Sequence, residues 1–422
     1  MKLASKLTAN KGELKDALYL IVLQGINQLL PLFVMPYLMI VLGAERYGYV
    51  GFALSVVSYF TIVVDFGFNL SATKKIALVK DDRQELTAVF WAVVWSKTLL
   101  LLASFAVMWL LIVSVPTFRL YGDAILCTFP MVVGTAFTFL WFFQGIGKVR
   151  LMVIINTCSK MLLLPLVFVF VRRPDDYLLA AFLQALVFIL TAAVSCFVLW
   201  RMHAVGRPVW RRQDIGEETR ASFPLFLSTA STSVYTQLFV VILGFFCSAE
   251  AIGRYASAER IMRACCFVLY VPINQAFFPK ISALSKKNRP EAFRSFAQVK
   301  LLVGGVMLLV AIALFVAAPY LPLLLGSDYA GIDCLLRIMA PAAFFIGLGG
   351  VYGQMGLIAL GDGKARLHFR NNYFAAGITA LVLVCLLPPF AGEYGAAIAM
   401  LLTEVTVFAL MWYRTRKDLA PC

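Results

Sequence analysis

The stretch "YGYVGFALSVVSYFTIVVDFGFNLSATKK" (residues 47–75) runs 18 residues without a charge before Asp65, then reaches Asn69 and the pair Lys74–Lys75. "DFG" is the trio with which protein kinases hold magnesium. That chemistry also needs a Gly-rich loop, a strand lysine and an HRD-type catalytic loop, and the sequence has none of them. A charge-free run of this length, with a cluster of lysines beyond it, instead reads as a membrane-spanning helix with Asp65 at its inner edge. A bilayer core needs about 20 apolar residues per helix.

Composition extends that reading to the whole chain. Of its 422 residues, 62% are hydrophobic and only 14% charged, with 35 phenylalanines and a net charge of +15. Soluble proteins carry about 25% charged residues, so the chain is a polytopic membrane protein. Its positive charge belongs to inside-facing loops, not to nucleic acid. The nine cysteines lie mostly in or beside apolar runs without CxxC spacing, and His203 and His368 have no partner at metal-ligand spacing. Neither a disulfide framework, a metal site nor a cofactor is expected. Lys2, Lys6, Lys11 and Lys15 precede an apolar segment long enough to span, so no cleaved signal is expected.

Apolar runs predict twelve spans: 17–41, 47–70, 87–112, 123–143, 151–171, 177–200, 222–246, 253–279, 301–319, 332–360, 371–391 and 395–413. With the N-terminus inside, the inner segments hold 27 Lys and Arg and the outer loops 5. That bias puts both termini in the cytoplasm. Lys74, Lys75, Lys80 and Arg83 then read as anchors at the inner end of the second helix. All outer loops are short, which excludes an enzyme with a large folded periplasmic domain. The expected organisation is all-α, with a six-helix lobe over residues 1–200, a cytoplasmic linker at 201–221 and a second lobe over 222–422.

The two halves repeat. A shift of 205 residues aligns 44–76 with 249–281 without gaps, and eight of 33 positions match: Ala44/Ala249, Glu45/Glu250, Gly48/Gly253, Ala53/Ala258, Val63/Val268, Asn69/Asn274, Lys75/Lys280 and Ile76/Ile281. Six helices per half make the repeat parallel, a transporter design in which halves rock about a central site. Asp65 has no counterpart, since Tyr270 stands at its repeat position.

Charges inside spans are costly and mark pathways or pairs. Lys97, Lys160, Arg260, Arg263 and Arg337 outnumber Asp65, Glu259 and Glu404. A cavity lined by them favours an anionic substrate. Glu259 and Arg263 are spaced i, i+4, so a structural pair competes with a site role. Gln24, Asn27, Gln28 and Pro31 form a polar stripe on the first helix, and Ser228, Thr232, Tyr235 and Thr236 another on the seventh. Both stripes face a lumen or join helices by hydrogen bonds. "GLGGVYG" (347–353) reads as close helix packing, and no Walker motif exists to couple transport to nucleotide hydrolysis.

"YLMIVLGAERYGYVGFALSVVSYF", "DFGFNLSATKKIA", "WFFQGIGKVR" (141–150), "GRYASAERI" and "PINQAFFPKIS" together resemble the Wzx-type O-antigen flippases. These form the polysaccharide-transport branch of the superfamily that includes the MATE drug exporters. The resemblance implies two six-helix lobes in a V around a central cavity, in a bacterial inner membrane. It implies that an undecaprenyl-pyrophosphate-linked oligosaccharide crosses from the cytoplasmic to the periplasmic leaflet by alternating access. On it, Arg260 or Arg263 holds the diphosphate, and Lys97 and Lys160 line the cavity. Gln24, Asn27, Gln28, Ser228 and Thr232 face the sugar, and Asp65, Glu404 or Glu259 serves coupling or gating. The pathway's polymerase and chain-length regulator are candidate partners of a monomeric flippase. Lipid II flippases of similar design carry a basic group in the first helix, which this chain lacks, and that argues against the lipid II role. A flippase for a capsule or related unit, and a MATE-like drug exporter, stay open as alternatives. A polymerase is disfavoured by the short outer loops.

Overall fold

A bilayer offers no hydrogen bonds to the backbone, so spanning segments must satisfy their own N–H and C=O groups. The computed structural model describes the backbone from Lys2 to Leu419 and the side chains of residues 30–227, 229–230 and 236–419. Every regular element among the described residues is helical. The first half contains α1 (Lys2–Asp65), α2 (Phe68–Val79), α3 (Arg83–Ser114), α4 (Pro116–Leu120), α5 (Gly122–Thr128), α6 (Pro130–Phe137), α7 (Leu140–Gly145), α8 (Val149–Phe170) and α9 (Tyr177–Arg201). The second contains α10 (Arg212–Phe246), α11 (Ala249–Lys287), α12 (Arg289–Ala317), α13 (Leu321–Leu325), α14 (Ile332–Met339), α15 (Ala342–Gly350), a π-helical turn (Val351–Leu360), α16 (Gly363–Leu386) and α17 (Pro388–Leu419).

Among the described residues, ten helices are long and apolar enough to cross a membrane. One of them, Leu30–Val79, contains the end of the first predicted span and all of the second. The seventh predicted span lies within α10, whose described apolar part is Thr236–Phe246. The first two predicted spans are separated at Gly43, where the non-helical backbone (φ 69°, ψ 171°) kinks α1; the left-handed φ favours glycine. Two other boundaries differ from expectation. The predicted inner segment after residue 70 is instead the helix α2, reached through left-handed Phe66 and Gly67. The predicted span 123–143 is three short helices, broken at Thr138 and Phe139, whose backbone is non-helical.

The helices pack as two compact units. The first comprises residues 1–41 and 56–229. Its core is aromatic: Phe68, Phe90, Phe139, Trp141, Phe142 and Phe143 pack together with little or no exposure. Two of the family-like motifs meet here. The Thr73 hydroxyl donates to the Trp141 carbonyl at 3.1 Å, and a methyl group on Gly145 would strike Ile76. "WFFQG" and "SATKKI" are therefore two halves of one packing unit. The segment 201–221, expected to be a linker, packs in this unit too. The Trp91 and Trp95 indoles donate to the Gly206 and Val209 carbonyls, each at 3.1 Å. The start of α10 runs along α2 and the turn before it: Lys75 pairs with Glu218, Ser71 bonds Ser222 at 2.6 Å, and Phe66 stacks on Phe226 at 4.6 Å.

The second unit comprises residues 42–55 and 230–422. Within it the sequence repeat acquires a physical meaning. A methyl group on Gly48 would run into the Ala249 carbonyl, and one on Gly253 into the Ala44 carbonyl. All four are matched repeat positions, so the two repeat copies cross backbone to backbone in a nearly reciprocal contact. Small residues permit such close approach in membranes, where packing rather than hydrophobicity holds helices together. Around the crossing, Tyr47, Val50, Phe52, Tyr255 and Ala258 are wholly buried. The "GLGGVYG" segment packs closely as expected: methyl groups on Gly347 and Gly350 would meet Met307 and the Tyr270 hydroxyl.

Gly48→Ala and Gly253→Ala should each lower the thermal unfolding temperature of the detergent-solubilised protein. Overpacking costs about 1–3 kcal/mol. Gly216→Ala, at an exposed helical site with nothing within 4 Å of the added methyl, should leave the temperature unchanged or raise it. Unfolding curves followed by size-exclusion chromatography check this, and equal behaviour of the three variants would remove the crossing from its place in the fold.

Candidate functional site

Five of the charges that enter the membrane form two clusters, Asp65 with Lys97 in the first unit and Glu259, Arg263 and Glu404 in the second. In the first unit α1 ends at Asp65, because Phe66 and Gly67 both turn left-handed. The break frees the Asp65 carboxylate to accept from the Asn69 amide at 2.8 Å and the Lys97 ammonium at 3.2 Å, both on Oδ1. The Lys97 side chain is 2% exposed and that of Asp65 24%. This ion pair accounts for both residues structurally, since each neutralises the other. Asn69 and Asn274, matched in the repeat, both donate side-chain hydrogen bonds, but Asn274 reaches Gln354 at 2.6 Å. Tyr270, at the position matching Asp65, is a core residue of the second unit.

The second cluster lies on α11 and α17. Arg263 Nε donates to Glu259 at 2.9 Å, and its Nη2 lies 3.8 Å from Glu404. Glu259 and Glu404 are both buried. Two buried carboxylates thus face one guanidinium. Arg260, three residues before Arg263, turns to a different partner. Its Nη1 donates to the Tyr47 hydroxyl at 2.9 Å, and the guanidinium lies 5.5 Å from the Tyr47 ring centroid. A phenol and a ring face hold this cation without cancelling its charge.

The sequence-derived candidates thus separate. Asp65 joins Lys97, and Glu259 and Glu404 join Arg263, whereas Arg260 stands on Tyr47 and Lys160 is half-buried in α8 in neither cluster. Arg337 lies over the Phe315 ring at 5.6 Å. The side chains of Gln24, Asn27, Gln28, Ser228 and Thr232 lie outside the described residues. Three partners escaped sequence reasoning: Tyr47, Glu218 on Lys75, and Glu393, which accepts from Arg254 at 2.9 Å. Each is distant in sequence from its cation, and no spacing rule reports such a pair. Among the described residues no group of acidic, His and Cys side chains suits a metal.

The polysaccharide biosynthesis protein family model matches residues 14–285. An Escherichia coli (strain K12) protein named "Putative O-antigen transporter" is 31% identical over 417 residues, covering 97% of this chain and 99% of that one. The chain belongs to the polysaccharide biosynthesis protein family. A Shigella dysenteriae protein of the same name is 26% identical, covering 94% of this chain and 98% of that one. Among solved structures, the lipid II flippase MurJ in an inward closed conformation superposes with TM-score 0.76 at 13% identity, over 94% of this chain and 87% of that one. An inward-facing multidrug resistance MATE family transporter superposes with TM-score 0.70 at 16% identity, over 95% and 98%. These two likenesses establish the all-α, multi-pass transporter fold for this member of the family.

If Asp65 and Lys97 serve each other, removing one should cost more than removing both. Asp65→Leu leaves a buried ammonium without its carboxylate, and about 3 kcal/mol of stability should go with it. Asp65→Leu combined with Lys97→Met should recover most of that loss. A double variant no more stable than the single one, in unfolding of the purified protein, would refute the mutual role.

Proposed function

We propose that the protein is a flippase. It carries an undecaprenyl-pyrophosphate-linked oligosaccharide repeat unit of the O-antigen type from the cytoplasmic to the periplasmic leaflet of the inner membrane, by alternating access. The observation that carries this reading is the end-to-end relationship, at 31% identity, to the E. coli protein named "Putative O-antigen transporter". Arg260 supports it. A guanidinium seated on a tyrosine keeps its charge and its donors for a phosphate, and arginine's planar fork suits bidentate contact. Arg263, already facing Glu259 and Glu404, is less available to a diphosphate. On this reading Arg260 binds the diphosphate, and Lys160 and the polar residues of the first and seventh helices serve the sugar. The Glu259–Arg263–Glu404 cluster, with its two carboxylates, carries the coupling proton.

The functional lobes are residues 1–200 and 222–422, joined by 201–221, working as a monomer. Their partners are the lipid-linked oligosaccharide and the polymerase and chain-length regulator of the same pathway. The protein performs no covalent chemistry on its substrate.

Deleting the gene should make single repeat units accumulate on undecaprenyl pyrophosphate while the long-chain surface polysaccharide disappears. The mass of the accumulated unit then distinguishes an O-antigen from a capsule substrate. Unchanged polymer, with raised sensitivity to cationic compounds alone, would replace the flippase reading with that of a drug exporter. In a complemented deletion strain, Arg260→Gln should cut surface polymer about tenfold or more, the loss of one charge-assisted contact, and Arg260→Lys should cut it less. Glu404→Gln should flatten the pH dependence of transport. Full transport by Asp65→Asn at every pH would remove Asp65 from the proton path.

A further inference from the structure

A pocket of about 410 Å³ opens in the first unit, and no residue of either charge cluster lines it. Phe90, Trp91, Val94, Phe139, Cys196 and Trp200 wall it, and the loop that follows α9 covers it through His203, Val205 and Gly206. It forms where the helix breaks at Thr138 and Phe139, so that Phe139 stands between α6 and α7 and Phe137 joins the lining. The walls are hydrocarbon and aromatic ring, which leaves a water-soluble ligand little to bond.

The rim has the opposite character. Arg83 Nη2 donates to the His203 carbonyl at 3.1 Å, which ties a guanidinium to the loop that covers the pocket. Arg201 follows Trp200 and Arg207 follows Gly206, and all three arginines are exposed. Four of the chain's seven tryptophans, at 91, 95, 200 and 210, gather on this face. Trp91 lies 6.3 Å from Trp95, and Trp95 lies 4.9 Å from Trp210. Tryptophans group in this way at the level of lipid headgroups, and the loop carries the inside-facing charges expected of a cytoplasmic segment. The face therefore offers an apolar slot whose covering loop holds Arg83, with the exposed Arg201 and Arg207 next in sequence to lining residues.

We propose that this pocket binds one anionic glycerophospholipid of the cytoplasmic leaflet, with an acyl chain in the aromatic slot and the phosphate on Arg83, Arg201 and Arg207. Charge complementarity selects the headgroup. Basic pockets between helices on the cytoplasmic side take anionic lipids; the acyl chain passes from one apolar surrounding to another, so the phosphate contacts carry the preference. The bound lipid fastens the loop between α9 and α10, and through it the start of α10, where Glu218 and Ser222 zip onto α2.

The test uses the full chain without its other cysteines, keeping Cys196 in the pocket or, as comparator, Cys158, an exposed cysteine on α8 that does not line it. Each is reconstituted in vesicles of phosphatidylcholine alone or mixed with phosphatidylglycerol, and the rate of alkylation by N-ethylmaleimide is measured. Phosphatidylglycerol should slow the reaction of Cys196 about threefold or more, as expected when free lipid exceeds its dissociation constant twofold. It should leave Cys158 unchanged. The combined change Arg83→Gln, Arg201→Gln and Arg207→Gln, all at exposed positions, should abolish the protection. Equal Cys196 rates in both lipids would overturn the proposal, and so would protection that survives loss of the three arginines. Protection by undecaprenyl phosphate in phosphatidylcholine, with none from phosphatidylglycerol, would assign the pocket to the polyprenyl carrier instead. None of these outcomes depends on whether the protein transports O-antigen.

Discussion

Two helix backbones meet at Gly48 and Gly253 with no room for a side chain on either, and the architecture of the second unit follows from that meeting. In a membrane, lipid tails are as apolar as leucine, so helices associate through close packing and polar contacts. The crossing brings the segment 42–55 into the unit formed by the later half of the chain. It also brings Tyr47 against Arg260, so the candidate phosphate ligand rests on a residue more than 200 positions earlier. The same contact that makes the fold thus sets up the cation on which the proposed function turns.

The second constraint is the cost of charge in hydrocarbon. Lys97 meets Asp65, and Arg263 meets Glu259 and Glu404. Arg260 alone of these cations is held by a phenol and a ring face. A sequence tally of five basic and three acidic groups treats every charge as equal. The tertiary pairing separates Lys97 and Arg263, which face carboxylates, from Arg260 and Arg337, which lie against aromatic rings.

The family-like motifs divide in a similar way. "WFFQG" is the aromatic core of the first unit, and its Trp141 carbonyl accepts from Thr73 of "DFGFNLSATKKIA". Their place in the sequence reflects mutual packing. Asp65, the residue that raised the question of catalysis, ends a helix beside a lysine.

The sequence alone determined the class. A chain this apolar, with spans of bilayer length and basic residues concentrated in alternate loops, has no water-soluble alternative, because an unpaired backbone in lipid costs several kcal/mol per group. It determined the Glu259–Arg263 pair as well, since residues four apart on a helix are neighbours. The breaks at Phe66–Gly67 and Thr138–Phe139, the reciprocal crossing of the repeats, and the partners Tyr47, Glu218 and Glu393 were decided by tertiary structure. Each depends on what another helix presents at that depth, and hydropathy and spacing carry no record of a contact between residues 139 to 213 positions apart.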